Sequence, residues 1–170
     1  MVTLNELPDG VPVYVDANIF VYHFTGVSQQ ATQFLERCEA HELVAYTGHL
    51  VVLEVMHRLM LVEARQKGLI AGSNPVRQLS QHPDRVRQLT DYQLHVAKLP
   101  QMGVTILDLP PEYITRSAEF RQRYGLLTHD SLVALDLADH GIPWLASANG
   151  AFDRLSFVNR ASPTDLPAAS

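Results

Sequence analysis

The chain has 170 residues with 46% hydrophobic and 18% charged side chains, a composition that suits one globular domain with a sizeable core and excludes intrinsic disorder. A formal net charge of −5 gives no global attraction to nucleic acid, and a single cysteine, Cys38, excludes an intramolecular disulfide and a cysteine-rich zinc cluster. The N-terminus lacks the basic-then-apolar layout of a secretory signal, and Asp16, His49 and Glu54 interrupt the richest apolar stretches, so a soluble cytoplasmic protein is expected.

The β-branched and aromatic run Val13-Tyr14-Val15 predicts a first strand that ends at Asp16, and Ala17 to Phe24 predicts a helix. A second helix is expected from Ser28, its N-cap, to Ala40. Leu43 to Tyr46 reads as the next strand, and after Gly48 the apolar spacing of His49 to Gln66 predicts a long helix. Gly68, Gly72, Asn74 and Pro75 mark a turn. Val76 to Leu99 favours helix again, with Pro83 the place where it would split. A strand follows at Val104 to Leu107, and Pro110-Pro111 stop it and start a helix to about Tyr124. A helix from Ser131 to His140 is closed by Gly141, and Trp144 to Ala146 is the next strand. A short turn near Ala151 to Leu155 and an edge strand at Phe157-Val158 complete a domain of residues 1–160. Residues 161–170, rich in Pro, Ala and Ser, are expected to form a loose tail. Strands separated by helices imply right-handed crossovers: a three-layer α/β/α sandwich whose central sheet has four or five mostly parallel strands. Sites in such sheets form at the carboxyl ends of strands.

Three standard motifs are absent. There is no GxGxxG after the first strand, no GxxxxGK[ST] phosphate loop and no GxSxG nucleophile elbow. Cys38 sits within an apolar helical pattern and reads as a packed small hydrophobe. What stands out is carboxylates in apolar settings: Asp16 directly after a strand, Glu54 within Leu50-Val51-Val52-Leu53, and Asp130 between Leu126-Leu127 and Leu132-Val133. A lone buried carboxylate is costly without a partner or a metal, and oxygen-only ligation favours Mg²⁺ or Mn²⁺. Each acid also has a plain structural reading. Asp16 would cap the helix that starts at Ala17, Glu54 would pair with Arg58 one turn on, and Asp130 would favour a helix N-terminus. His129 reads as structural, and Asp136, amid leucines, calls for a buried partner.

Taken in order, Val15-Asp16-Ala17-Asn18-Ile19-Phe20-Val21-Tyr22, Glu54 in its apolar helix, Thr128-His129-Asp130-Ser131-Leu132-Val133-Ala134, and Ala138-Asp139-His140-Gly141-Ile142-Pro143-Trp144-Leu145 resemble the PIN-domain nucleases. Within that family the chain is most similar to the VapC toxins of bacterial toxin–antitoxin pairs. The resemblance implies a ribonuclease using Mg²⁺ or Mn²⁺, with Asp16, Glu54 and Asp130 as catalytic, metal-binding acids. Asn18, Thr128 and Ser147 would shape the site, and the implied partners are RNA, a cognate antitoxin and a second copy of the chain. The apolar helix around Val51 to Val62 would supply an interface. One departure is plain: Asn149 stands where the family has a fourth acid. Asn149 would offer the metal a neutral carbonyl oxygen, with Asp153 as its substitute if the turn bends back. Six of the 13 basic residues fall between Arg58 and Arg87. In this setting Arg58, Arg65, Arg77, Arg85 and Arg87 are candidates to hold RNA phosphates. Two rivals remain: a PIN fold that binds RNA or a partner without catalysis, and a phosphatase-like enzyme with Asp16 as nucleophile. Asn18 argues against the second, because such enzymes want an acid at that place.

Overall fold

A computed structural model describes residues 2–167. Six strands form one sheet: β1 (Val2–Thr3), β2 (Pro12–Val15), β3 (Val44–Gly48), β4 (Val104–Leu107), β5 (Trp144–Ala146) and β6 (Asn159–Ser162). The order across the sheet is β1-β6-β5-β2-β3-β4, and every pairing is parallel. Eight α-helices are interleaved: α1 (Ala17–Thr25), α2 (Gln29–Glu39), α3 (His49–Gln66), α4 (Pro75–Ser80), α5 (Pro83–Val86), α6 (Asp91–Val96), α7 (Tyr113–Tyr124) and α8 (Thr128–Asp139). This is the expected α/β/α class. No helix among the described residues is long and apolar enough to cross a membrane.

The sheet is wider than expected because its far edge is built from both ends of the chain. β1, too short to leave a sequence signal, pairs with β6 through Val2↔Ala161 and Thr3↔Ser162. The edge strand expected at Phe157-Val158 lies two residues later, so Ala161 and Ser162, placed in the loose tail by sequence, are ladder residues. Beyond them Asp165 ties the chain to the start of α2. Its carboxylate accepts from the Ser28 hydroxyl at 2.6 Å and the Gln30 amide at 3.0 Å. The rest of the expected tail, residues 168–170, lies outside the described residues.

β2 is central, and Val13, Tyr14 and Val15 are buried, as a strand covered on both faces requires. From β2 the chain winds outward through β3 and β4, then returns on the other side as β5. The reversal makes the β2–β5 boundary the switch point where a crevice opens at the strands' carboxyl ends. The helix expected from Val76 to Leu99 is three short helices instead, since Pro83 opens α5 and the chain breaks again before α6. Buried Glu63 of α3 anchors this annex: its carboxylate accepts the Thr90 and Tyr92 amides, each at 2.9 Å, and Lys67 at 2.6 Å. Gly103 turns at φ +68°, and an added Cβ would overlap the Cys38 carbonyl. Cys38 is fully buried, and burial pushes its thiol up to about 12, in keeping with a packed rather than a reactive cysteine.

Candidate active site

The register Val15↔Ala146 places Asp16 and Ser147, the next residue of each chain segment, side by side at the switch point. The ladder continues there, with the Asp16 amide donating to the Ala146 carbonyl at 3.0 Å. Asp16 is 6% exposed. One carboxylate oxygen accepts the Ala17 amide at 2.7 Å, so Asp16 does cap α1. The other accepts the Asn18 side-chain amide and the Ser147 hydroxyl, each at 2.6 Å. Asn18 in turn accepts the Ala148 amide at 3.0 Å. Capping and site-forming are therefore compatible roles, divided between the two oxygens.

α8 starts at Thr128, three residues before the expected Ser131, so Asp130 lies in its first turn. Asn149 links this turn to Asp16: its amide nitrogen approaches an Asp130 carboxylate oxygen at 3.4 Å, and its backbone N–H donates to the Ser147 hydroxyl at 3.0 Å. The Asn149 side chain was expected to offer its carbonyl oxygen to a metal. That oxygen accepts the Ala151 amide at 3.0 Å, capping a single 3₁₀ turn (Gly150–Arg154), and this bond fixes which end of the amide faces the acid. Asn149 thus meets Asp130 as a donor. Asp153 turns instead toward Arg160, which donates to both of its oxygens, at 2.7 and 2.8 Å.

Glu54 reaches the site from α3, half-exposed. One oxygen pairs with Arg58 at 3.4 Å, as the plain reading expected, and the other lies 3.3 Å from His129 Nε2. His129, read from sequence as structural, is thus a neighbour of the acids. The only hint was its place beside Asp130. Thr128 is exposed, and its side chain makes no hydrogen bond among the described residues.

The electrostatics bind these groups together. Burial raises the Asp16 carboxyl above its usual range, against the Ser147 and Ala17 hydrogen bonds that lower it, with Glu54 adding to the rise and His129 opposing it. Burial also raises Asp130, against the Asn149 hydrogen bond, and Asp16 raises it further. These acids repel one another, a conflict that a cation between them would relieve. Among the described residues no group of three or more acidic, histidine or cysteine side chains forms a ready cage. Mg²⁺ does not need one: it is commonly held by one or two carboxylates and several waters. The oxygen donors of Asp16 and Asp130 fit such an ion.

The basic residues divide. Arg58 stands at the edge of the acids beside Glu54, and Arg65 is exposed further along α3. Arg77 and Arg87 are exposed without a side-chain partner among the described residues. One Arg85 nitrogen donates to the Leu69 carbonyl at 2.7 Å, which supports the annex. Asp136 has the buried partner it called for: the Tyr14 hydroxyl donates to it at 3.0 Å.

The PIN domain family model matches residues 13–158. Ribonuclease VapC2 of Methanocaldococcus jannaschii is 24% identical over 147 residues, covering 86% of this chain and 90% of the relative. The crystal structure of Mycobacterium tuberculosis VapC20, a sarcin–ricin loop cleaving toxin, superposes with a TM-score of 0.58 at 13% identity, covering 86% of this chain and 96% of that one. VapBC2 of Rickettsia felis, bound to a DNA fragment from its promoter, superposes with a TM-score of 0.54 at 14% identity over 89% of this chain and 98% of that one.

Proposed function

The chain belongs to the PIN domain family, and from that premise we propose that it is a metal-dependent endoribonuclease of the VapC kind. The observation that supports the reading best is the linkage of Asp16 to Asp130, through Ser147 and Asn149, at the carboxyl ends of β2 and β5. Asp16 and Asp130 would hold Mg²⁺ or Mn²⁺, with Glu54 beside them. An ion so held polarises a phosphoryl oxygen and lowers the pKa of bound water. Asn18 and Ser147 keep Asp16 in one orientation. Arg58, Arg65 and Arg87 would take RNA phosphates, and the Thr128 hydroxyl at the start of α8 is free to join them. Single-stranded loops are the fitting substrate because their backbone is exposed, and the target of VapC20 makes a loop of a structured RNA the class to test first. A cognate antitoxin and a second copy of the chain are the expected partners in the cytoplasm. The apolar residues of α3, among which Leu53 is 59% exposed, offer a surface for either.

The test is cleavage of total RNA by the purified, antitoxin-free chain with Mg²⁺, with Mn²⁺ and with EDTA, beside Asp130→Asn. Discrete cuts that disappear with EDTA and in the variant support the reading. One observation favours the alternative, a catalytically weak or inactive PIN fold that binds RNA or a partner: Asn149 brings a neutral amide, not a charge, to Asp130. Folded protein that binds RNA and cuts none with either metal would establish that alternative.

A further inference from the structure

The turn after β5 carries three of the contacts that build the site, yet it is only three residues long, and it is held from behind. Arg160, on β6, has a side chain just 7% exposed. Its Nε and Nη2 donate to the two oxygens of Asp153 at 2.7 and 2.8 Å, and its Nη1 donates to the Ser147 carbonyl at 3.0 Å. The opposite side of the same residue presents the Ser147 hydroxyl to Asp16 at 2.6 Å. One side chain therefore joins β6, the 3₁₀ turn that Asn149 caps, and the residue that orients Asp16. Only an arginine does this: its planar fork satisfies a carboxylate with two donors and leaves a third for a carbonyl, whereas a lysine ammonium has no such geometry.

We propose that Arg160, braced by Asp153, is a positioning residue that sets the Ser147–Asn149 turn and thereby the aim of Asp16 and Asp130. It touches neither acid. Its catalytic consequence rests on the ribonuclease reading above; its structural consequence does not. Outer-shell partners of this kind typically change metal affinity or activity by about 10–100-fold when removed.

The test compares wild type with Arg160→Gln, Arg160→Lys and Asp153→Asn. Amide hydrogen exchange reads the turn directly. In Arg160→Gln the Ala148 and Asn149 amides, bonded to Asn18 and Ser147, should exchange at least tenfold faster, while the Asp16 ladder amide keeps its protection. Titration with Mn²⁺ alone should show a dissociation constant raised about 10–100-fold. Where RNA is cut, kcat should fall with KM unchanged, and Arg160→Lys should not rescue it. If Arg160→Gln does not fold, Asp153→Asn, which loosens the same brace, is read in its place with smaller effects of the same sign. Unchanged exchange at Ala148 and Asn149 with unchanged Mn²⁺ affinity in a folded variant would overturn the proposal. A wild-type chain that neither binds Mn²⁺ nor cuts RNA would defeat the ribonuclease reading, and the exchange data would still decide the role of Arg160.

Discussion

Replacing Asp136 with Asn changes one atom and removes one charge from the interior. The residue is 6% exposed, and its carboxylate accepts the Tyr14 hydroxyl at 3.0 Å on one oxygen and has no partner among the described residues on the other. Burial raises it to about 6, from an ordinary 3.8, and the Tyr14 hydrogen bond offsets only part of that rise. A group raised on folding contributes stability that is complete below its unfolded value and is lost as pH climbs through the folded one. The difference of roughly two pH units corresponds to about 3 kcal/mol, at about 1.4 kcal/mol per unit. Asn cannot ionise, so the variant lacks this slope, whatever constant offset its unpartnered amide adds. Urea unfolding of both proteins at several pH values from 4 to 8 would measure it. The stability of Asp136→Asn relative to wild type should rise by about 2.5 kcal/mol across that range, mostly between pH 4 and 6.5. A difference that stays constant with pH would refute the buried-carboxylate account.

Glu63 has the opposite sign. Burial would raise its carboxyl, but Lys67 and the amides of residues 90–92 outweigh that and bring it to about 2, so its contribution is present above about 4.5 and is lost as pH falls. Glu63→Gln should cost on the order of 2–3 kcal/mol at pH 7 by urea unfolding, and close to nothing at pH 2. Asp165→Ala should lower stability by about 1 kcal/mol, the usual worth of a helix cap, visible as a lower melting temperature. Asn149→Asp exchanges a donor for a charge beside Asp130 and should tighten Mn²⁺ binding by about tenfold in calorimetry, since ligand charge sets the affinity of oxygen sites.

The layers, the central strand and the crevice were legible because they rest on local signals: the Val13-Tyr14-Val15 run, the Pro110-Pro111 stop and the acids that break apolar stretches. Asp16, Glu54 and Asp130 stood out for the same reason, since a charge in an apolar run is conspicuous without any knowledge of its neighbours. What was not legible lies in pairings between distant residues. β1 is two residues long and exists only because β6 is there to pair with it. Asp153 looked available to the site until Arg160, on a different strand, claimed both of its oxygens. The cap of Asn149 onto Ala151 depends on a turn that sequence does not reveal. Asp165 lay in a Pro- and Ala-rich stretch with no periodicity, and its anchorage comes from Ser28 and Gln30 at the start of α2.

The outermost pairing of the sheet has a consequence for the order of events during synthesis. Ser147 meets Asp16 across 131 residues of chain, and β6, which supplies Arg160, is the last strand among the described residues. Contacts of such separation form late, because the entropy of closing the intervening chain must be met before they can form. A nascent chain that stops short of residue 159 has Asp16, Glu54 and Asp130 but neither the Arg160 brace nor the seam between β5 and β6. Arg160 and the β5–β6 seam therefore join the crevice only after Asp16, Glu54, Asp130 and Asn149 are already in the chain.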